Sequence, residues 1–331
     1  MPIGEWRAPV EYPFQSLLDD LTHAINRAQQ HIHLNRASRI YAWRKALIAL
    51  QNEDRRSVTL RVVQALEENV SRSTKAENES NPDVWKYPYQ DAFRSLLEAR
   101  MFICIVKHLE QKLRQEHWRM MIGGNLKPEN DSLSTPHRDY LLELYIASAV
   151  EAAGMPVALA EPDVITGIED TNVGIAVKRI KSRKQILSNA KKASEQIRRS
   201  DAEKGIVFMD VSELMNQNMA AMRYLRDRGG KIEGTVQGNL LKFVNESYEI
   251  QRLLDLPHVE GIVLRHAVPV IFSAGFVPGT LETWTPVVED PSSLTAHVYG
   301  KMLDSLSPQI SVRGWAPSFG TTPSEFSFAH I

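Results

Sequence analysis

Three residues sit among neighbours that do not suit an ordinary surface charge. Glu143 lies in the helix-like stretch HRDYLLELYIASAVEAAG, with Leu142, Leu144, Ile146, Ala147 and Val150 on most sides and Asp139 and Tyr140 one turn before it. A carboxylate there needs a cation, a hydrogen-bond donor or water, because burying it unpaired is costly. Asp163 follows Glu161-Pro162, where one apolar strand ends and another starts. Proline cannot donate to a sheet ladder and so marks an edge or a bend. Lys178 lies in Gly174-Ile175-Ala176-Val177-Lys178-Arg179-Ile180-Lys181, where strand alternation puts it on one face with Ala176 and Ile180. Singly, each has a plain reading: a helix-edge carboxylate that reaches solvent or an arginine, a turn acid, a charged strand end. Together they are what metal-assisted phosphodiester cleavage requires. Hard oxygen ligands hold Mg2+ beside the phosphate, the ion lowers the pKa of a bound water, and a lysine places that water or neutralises charge building on phosphorus.

The chain that positions these groups has 331 residues, 43% hydrophobic and 24% charged, as expected of a soluble globular protein of one or two domains. No stretch approaches the roughly 20 unbroken apolar residues of a spanning helix, and the start, MPIGEWRAPVEYPF, lacks the basic segment and apolar run of a secretion signal. The expectation is a cytoplasmic protein with no membrane partner. The single cysteine, Cys104, cannot close an intrachain disulfide and sits in the apolar run MFICIV, so it reads as a core residue.

Two polar stretches, 71–83 (SRSTKAENESNPD) and 123–136 (GGNLKPENDSLSTP), interrupt the apolar periodicity. Residues 1–130 read as a helical N-terminal region, with FQSLLDDLTHAINRAQQHIHL and SVTLRVVQALEENV as amphipathic helices. DAFRSLLEARMFICIVKHLEQKLRQEHWRMMI reads as one long helix or two broken ones. After Pro136 the pattern alternates: a helix stopped by Gly154, three short runs rich in Val and Ile, the basic helix RKQILSNAKKASEQIRRS, and the buried strand KGIVFMDV. Helices over SELMNQNMAAMRYLRDRGG and LLKFVNESYEIQRLL and a long strand, EGIVLRHAVPVIF, follow; the tail from Ser311 has little periodicity. Helix, three strands, helix, strand predicts an α/β domain over 131–331 with a mixed central sheet flanked by helices.

Residues 136–211 resemble the PD-(D/E)xK nuclease superfamily, the restriction-endonuclease-like fold. The likeness is carried by Glu143 in the opening helix, Pro162-Asp163 at the second strand and Ala176-Val177-Lys178 in the third, followed by the helix with Gln196. It implies a metal-dependent nuclease, acting on DNA ahead of RNA. Asp163, Glu143 and the Val177 main-chain carbonyl would hold Mg2+ or Mn2+, Lys178 would act on the attacking water, and Gln196 would face the site. One departure matters: two residues before the lysine the family has Glu, Asp or Gln, and here stands Ala176. Members of the superfamily can move the second carboxylate onto a helix, which makes Glu143 the substitute, ahead of Glu161 and Asp170. The same departure would mark a catalytically degenerate nuclease fold that binds nucleic acid or a protein partner, and a helical interaction protein working through its N-terminal half is a third reading.

The charge pattern supports a polyanionic ligand on its own. From Lys178 to Lys204 there are ten basic residues against three acidic ones, a net charge of +7, and such a stretch attracts a phosphate backbone. Arg179, Lys181, Arg183, Lys184, Lys191, Lys192, Arg198 and Arg199, with Gln196, are the expected nucleic-acid contacts; a solvated helix face is the plain alternative. His31 and His33, two apart, fall on different helix faces and do not make a metal pair. His266, inside an apolar strand, reads as a core histidine. Trp85, Tyr87 and Tyr89 read as packing between the helical and nuclease-like parts, with base stacking as the alternative. A homo-oligomer or a protein partner docked through the N-terminal helices stays open. The sequence carries no ATPase, helicase or methyltransferase motif.

Overall fold

The computed structural model describes residues 14–35, 38–52, 90–124, 136–168, 170–215, 222–224, 229–272, 277–288, 290, 293–306 and 312–313. The helix read over 57–70, both polar stretches in large part, Trp85, Tyr87, Tyr89 and the tail beyond 313 lie outside them.

The N-terminal region is helical where it is described: α1 (Phe14–His31), α2 (Arg39–Asn52), α3 (Gln90–Leu109) and α4 (Gln115–Ile122). The stretch that allowed one helix or two is two. A 3-10 turn at Glu110–Lys112 and an extended Arg114 separate α3 from α4, and the carboxylate of Glu110 in that turn is held by Arg27 at 2.7 Å. The reversal folds Trp118 and Met121 back into the core, each with 0% exposure.

The sheet region follows the predicted order. α5 (Pro136–Ala152) leads to β1 (Val157–Ala158), β2 (Val164–Ile168) and β3 (Thr171–Arg179), then α6 (Gln185–Arg199) and β4 (Lys204–Asp210). Gly154, just past α5, has φ +74°, the left-handed conformation that ends a helix and that glycine adopts without strain. The remainder is α7 (Ser212–Met215), β5 (Met222–Tyr224), α8 (Gly229–Glu246), α9 (Tyr248–Gln251), β6 (Val259–Phe272), β7 (Val277–Val287), α10 (Leu294–Leu306) and β8 (Val312–Arg313). The eight strands form one mixed sheet in the order β1-β2-β3-β4-β6-β7-β8, with β5 paired to β6. β3, β4 and β6 run parallel, and β1-β2, β2-β3 and β6-β7 are antiparallel.

The C-terminal part differs from expectation in several elements. Of the helix read over 212–230, residues 212–215 are α7, residues 222–224 are a strand and residues 229–230 open α8; the rest lies outside the described residues. β6 outruns β4, and the main chain of its second half pairs with Met222–Tyr224, so strand pairing overrides the local helical spacing. β7 was not anticipated, because Pro278, Gly279 and Pro286 interrupt its alternation; α10 was missed as well.

The sheet is covered on both faces. On one, Ile175, Val177, Phe208, Val263 and Trp284 join a single hydrophobic cluster with α1 to α5. On the other, Ala176, Val207, Met209, Ile262 and Leu264 pack against α6, α8 and α9. The first cluster crosses residue 130, so the helical region and α5 share one core. Cys104 lies in it at the α3–α5 seam, fully buried, and accepts a hydrogen bond from the Ser148 hydroxyl at 3.3 Å. Burial pushes its thiol up to about 11. No described helix is long and apolar enough to cross a membrane.

Buried charges tie these layers together. Glu98 of α3 accepts hydrogen bonds from Trp43 Nε1 at 2.6 Å and Arg138 Nε at 2.8 Å, with Arg39 Nε at 3.7 Å. Across the sheet face beneath α5, Arg265 of β6 donates to Asp210 of β4 and to Glu282 of β7, and Glu282 also accepts from Trp284 Nε1 and from the Tyr145 hydroxyl of α5. Arg179 of β3 sits beside Asp210 in the register and donates to the main-chain carbonyl of Arg138.

Glu98→Ala leaves Arg39 and Arg138 buried without their carboxylate and is expected to cost about 3–5 kcal/mol of stability by urea titration. A loss below about 1 kcal/mol contradicts the clamp. Burial raises the Glu98 pKa, but Arg39 and Arg138 outweigh it and hold it below the usual value. Its stabilisation is therefore full above the unfolded carboxylate pKa of about 4.3 and lost as pH falls through the lower folded value.

Candidate active site

β2 and β3 form an antiparallel hairpin in which Val164 faces Ile175, which brings Asp163, one residue earlier, beside Ala176 and Val177. Gly174 permits this approach. A Cβ there would lie 2.8 Å from Ala202 Cβ and 3.0 Å from Pro162 Cγ, so only glycine lets the Pro162 ring rest on β3 and hold Asp163 in place. Asp163 Oδ2 accepts the Val177 N–H at 2.7 Å and the Lys178 ammonium at 3.1 Å, and the same ammonium donates to the Val177 carbonyl at 2.8 Å. Three groups named from the sequence thus form one hydrogen-bonded set. Lys178 stands on the α6 face of β3 with Ala176 and Ile180, as its position in the strand predicts.

Glu143 comes to this set from the other side of the sheet, on α5. Among the described residues its carboxylate has no hydrogen bond and no ion pair. Burial raises its pKa, the Asp163 charge raises it further, and Lys178 offsets only part, leaving it at about 8. Burial also raises Asp163, against which Lys178 and the Val177 N–H act. Asp163 has two donors and Glu143 has none among the described residues, and with both raised the two carboxylates take up a proton as a pair. The pair is one positive charge short.

Gln196 of α6 donates from Nε2 to the Pro162 carbonyl at 3.2 Å, while its Oε1 is buried with no hydrogen-bond partner among the described residues. It lines a cleft of about 660 Å3 with Lys178, Lys191, Lys192, Glu195 and Arg199. Lys191 and Lys192 are exposed and carry no ion pair among the described residues. Arg198 and Arg199 are also exposed but are paired with Glu195 at 2.6 and 2.8 Å. Lys181, Arg183 and Lys184 lie exposed just before α6, and the Arg183 guanidinium lies 5.5 Å from the Phe243 ring centre.

Arg179 stands apart from this basic set. Its side chain is 7% exposed, faces α5 and pairs with Asp139 at 3.6 Å and Glu213 at 3.5 Å. The alternation that puts Lys178 on the α6 face puts its neighbour on the other, so Arg179 serves the fold. Asp170 lies in the turn at the far end of β2 from Asp163, and Glu161 is exposed beside Asp163; of the three candidate substitutes, Glu143 is the one aimed at the set from α5. Sequence reasoning gave no role to Asp139, whose charge reaches Glu143 from one turn away; the i, i+4 spacing was the available signal. His266 is buried, 4% exposed, as its strand implies.

The oxygen donors here, two carboxylates, the Val177 carbonyl and the Gln196 amide oxygen, suit a hard divalent cation. Mg2+ is bound by one or two carboxylates and keeps several waters. Among the described residues no three His, Cys, Asp or Glu gather as a metal centre, so any fit to a cation rests on the two carboxylates and the neutral oxygens beside them. Compared with known proteins, the chain matches no family model, no curated protein and no solved structure.

With a folded pKa above the unfolded value of about 4.3, Glu143 makes the metal-free protein lose stability as pH rises toward 8. Glu143→Gln removes that loss. The variant is expected to melt higher than wild type near about pH 8.5 without metal and equally near about pH 5, with Mg2+ stabilising wild type alone. Identical melting of the two proteins at both pH values contradicts the charge shortage.

Ala176 is 0% exposed and packs with Ile186, Ala190 and Ala193 under α6. Ala176→Glu should therefore lower the melting temperature in EDTA, by overpacking and by burying a carboxylate. Recovery on adding Mg2+ would place that side chain at the ion. A melting temperature unchanged in EDTA would contradict the packing of Ala176.

Proposed function

We propose that this protein is a Mg2+-dependent nuclease of PD-(D/E)xK type, hydrolysing phosphodiester bonds of DNA in the cytoplasm. The observation that carries the reading is the unpaired Glu143 carboxylate set against the Asp163, Val177 and Lys178 group at a basic cleft. Asp163, Glu143 and the Val177 carbonyl would hold the ion. When bound, it supplies an activated water and neutralises charge on the phosphate. Lys178 is anchored on Asp163 and Val177, so its ammonium is held at the site to steady the attacking oxygen and the charge on phosphorus. Lys191 and Lys192 offer charge to the phosphate backbone without a competing carboxylate, whereas Arg198 and Arg199 share the single Glu195 carboxylate in exposed pairs. The preference for DNA over RNA rests on the family resemblance.

A second reading, a nuclease fold that binds nucleic acid or a protein without cutting, is favoured by one observation: the family's acidic position is Ala176 and is packed shut. The two part on one experiment. In the first reading wild type cleaves DNA only with Mg2+ or Mn2+, and Asp163→Asn lowers cleavage by at least about 100-fold with an unchanged circular dichroism spectrum, because a ligand charge goes with little change of shape. Wild-type rates in a well-folded Asp163→Asn protein would sink the metal assignment. Binding of DNA by wild type with no metal-dependent cleavage of DNA or RNA would put the second reading in its place.

A further inference from the structure

Glu143 does not stand alone on its face of α5. Tyr140 is one turn earlier, three residues away and so about 4.5 Å along the axis. Its ring is partly buried against the first hydrophobic cluster, and its hydroxyl has no hydrogen bond among the described residues. Burial first, then the charges of Glu143 and Glu116, push that hydroxyl up to about 12, so it stays a donor at any assay pH. His117 of α4 lies beside the ring at 6.1 Å between centroids, tilted by 48°. Arg114, at the start of α4, is 71% exposed, and its ion pair is with Glu116, itself 64% exposed, at 3.0 Å. An exposed pair of this kind is weak and exchanges readily for a better anion. The helical region thus sets an aromatic surface and an unused hydroxyl donor next to Glu143, with an exposed guanidinium beyond them beside Tyr140, in the layer opposite α6. Aromatic faces take bases or sugars at little sequence cost, and a guanidinium suits the geometry of a phosphate.

We propose that Tyr140 and Arg114 form a nucleotide subsite for the residue adjoining the scissile phosphate, contributed by α4 and α5 on the Glu143 side of the site. The inference rests on the nuclease reading and deepens it. The subsite extends the site from Glu143 along α5 to Tyr140 and the start of α4.

The test is binding, not cleavage. A short labelled single-stranded DNA is titrated in EDTA by fluorescence anisotropy over a range of salt concentrations. Arg114→Ala is expected to weaken binding and lower the salt slope by about one unit. Tyr140→Ala is expected to weaken binding about tenfold and Tyr140→Phe by less, as a stacking contribution requires. Arg114 is exposed, so its variant carries the test even if Tyr140→Ala disturbs packing. If wild type binds while Arg114→Ala and Tyr140→Phe match it in affinity and salt slope, and Tyr140→Ala does so or unfolds, the subsite is overturned and the nuclease reading stands. If wild type binds no DNA at all, both fall.

Discussion

Four charged side chains buried in a row, Arg179, Asp210, Arg265 and Glu282, cross the sheet beneath α5, and the aim of Glu143 depends on them. Arg265 is bound on both sides by carboxylates and lies 5.2 Å from the Tyr145 ring centre. Tyr145 in turn donates to Glu282 at 3.3 Å. At the other end of the row, Arg179 grips the first turn of α5 through the Arg138 carbonyl and Asp139. The helix is therefore fixed at two points on one side, and Glu143 lies between them. Two positive and two negative groups balance in the row, and each finds a partner, the condition under which buried ions are tolerated. The two polar tethers add direction to the apolar packing of the helix, whose buried face is already close-packed.

The site draws on both layers that cover the sheet. Lys178 leaves β3 toward α6, Glu143 comes from α5, and Asp163 sits at the hairpin edge where the layers meet. Such a site forms only when the whole sheet is assembled, since no single supersecondary unit contains it. Within it, the hairpin supplies a complete hydrogen-bonded group and α5 supplies the carboxylate without a partner. That division assigns stability to β2 and β3 and demand for a cation to α5.

Much of this was legible in the residues. The order from α5 to β4 followed from Gly154, the Val and Ile runs and the basic helix, and the face of Lys178 followed from strand alternation. Glu143 could be singled out because leucine, isoleucine and valine surround it. The misses have physical causes. Proline and glycine in β7 hid a strand whose stability comes from pairing with β6 along its full length. Residues 222–224 became a strand through a partner almost 50 residues away, which no local pattern records. Arg179 looked like its basic neighbours because composition does not register which side of a strand a charge faces; its carboxylate partners are distant in sequence. The Tyr140 and Arg114 pair was invisible for the same reason, since α4 and α5 meet only after the chain reverses at Glu110.

Cys104 gives the molecule an internal gauge of its own breathing. The thiol is the only one in the chain, has no exposed surface and lies where α3 meets α5. A thiol reagent reaches it only when that seam opens, because in the closed state the sulfur is buried and burial itself keeps the thiolate scarce. When reclosing outpaces modification, the labelling rate measures the free energy of opening. Since α5 also carries Glu143 and Tyr140, a ligand seated on the far side of this helix would slow chemistry at a sulfur it never touches.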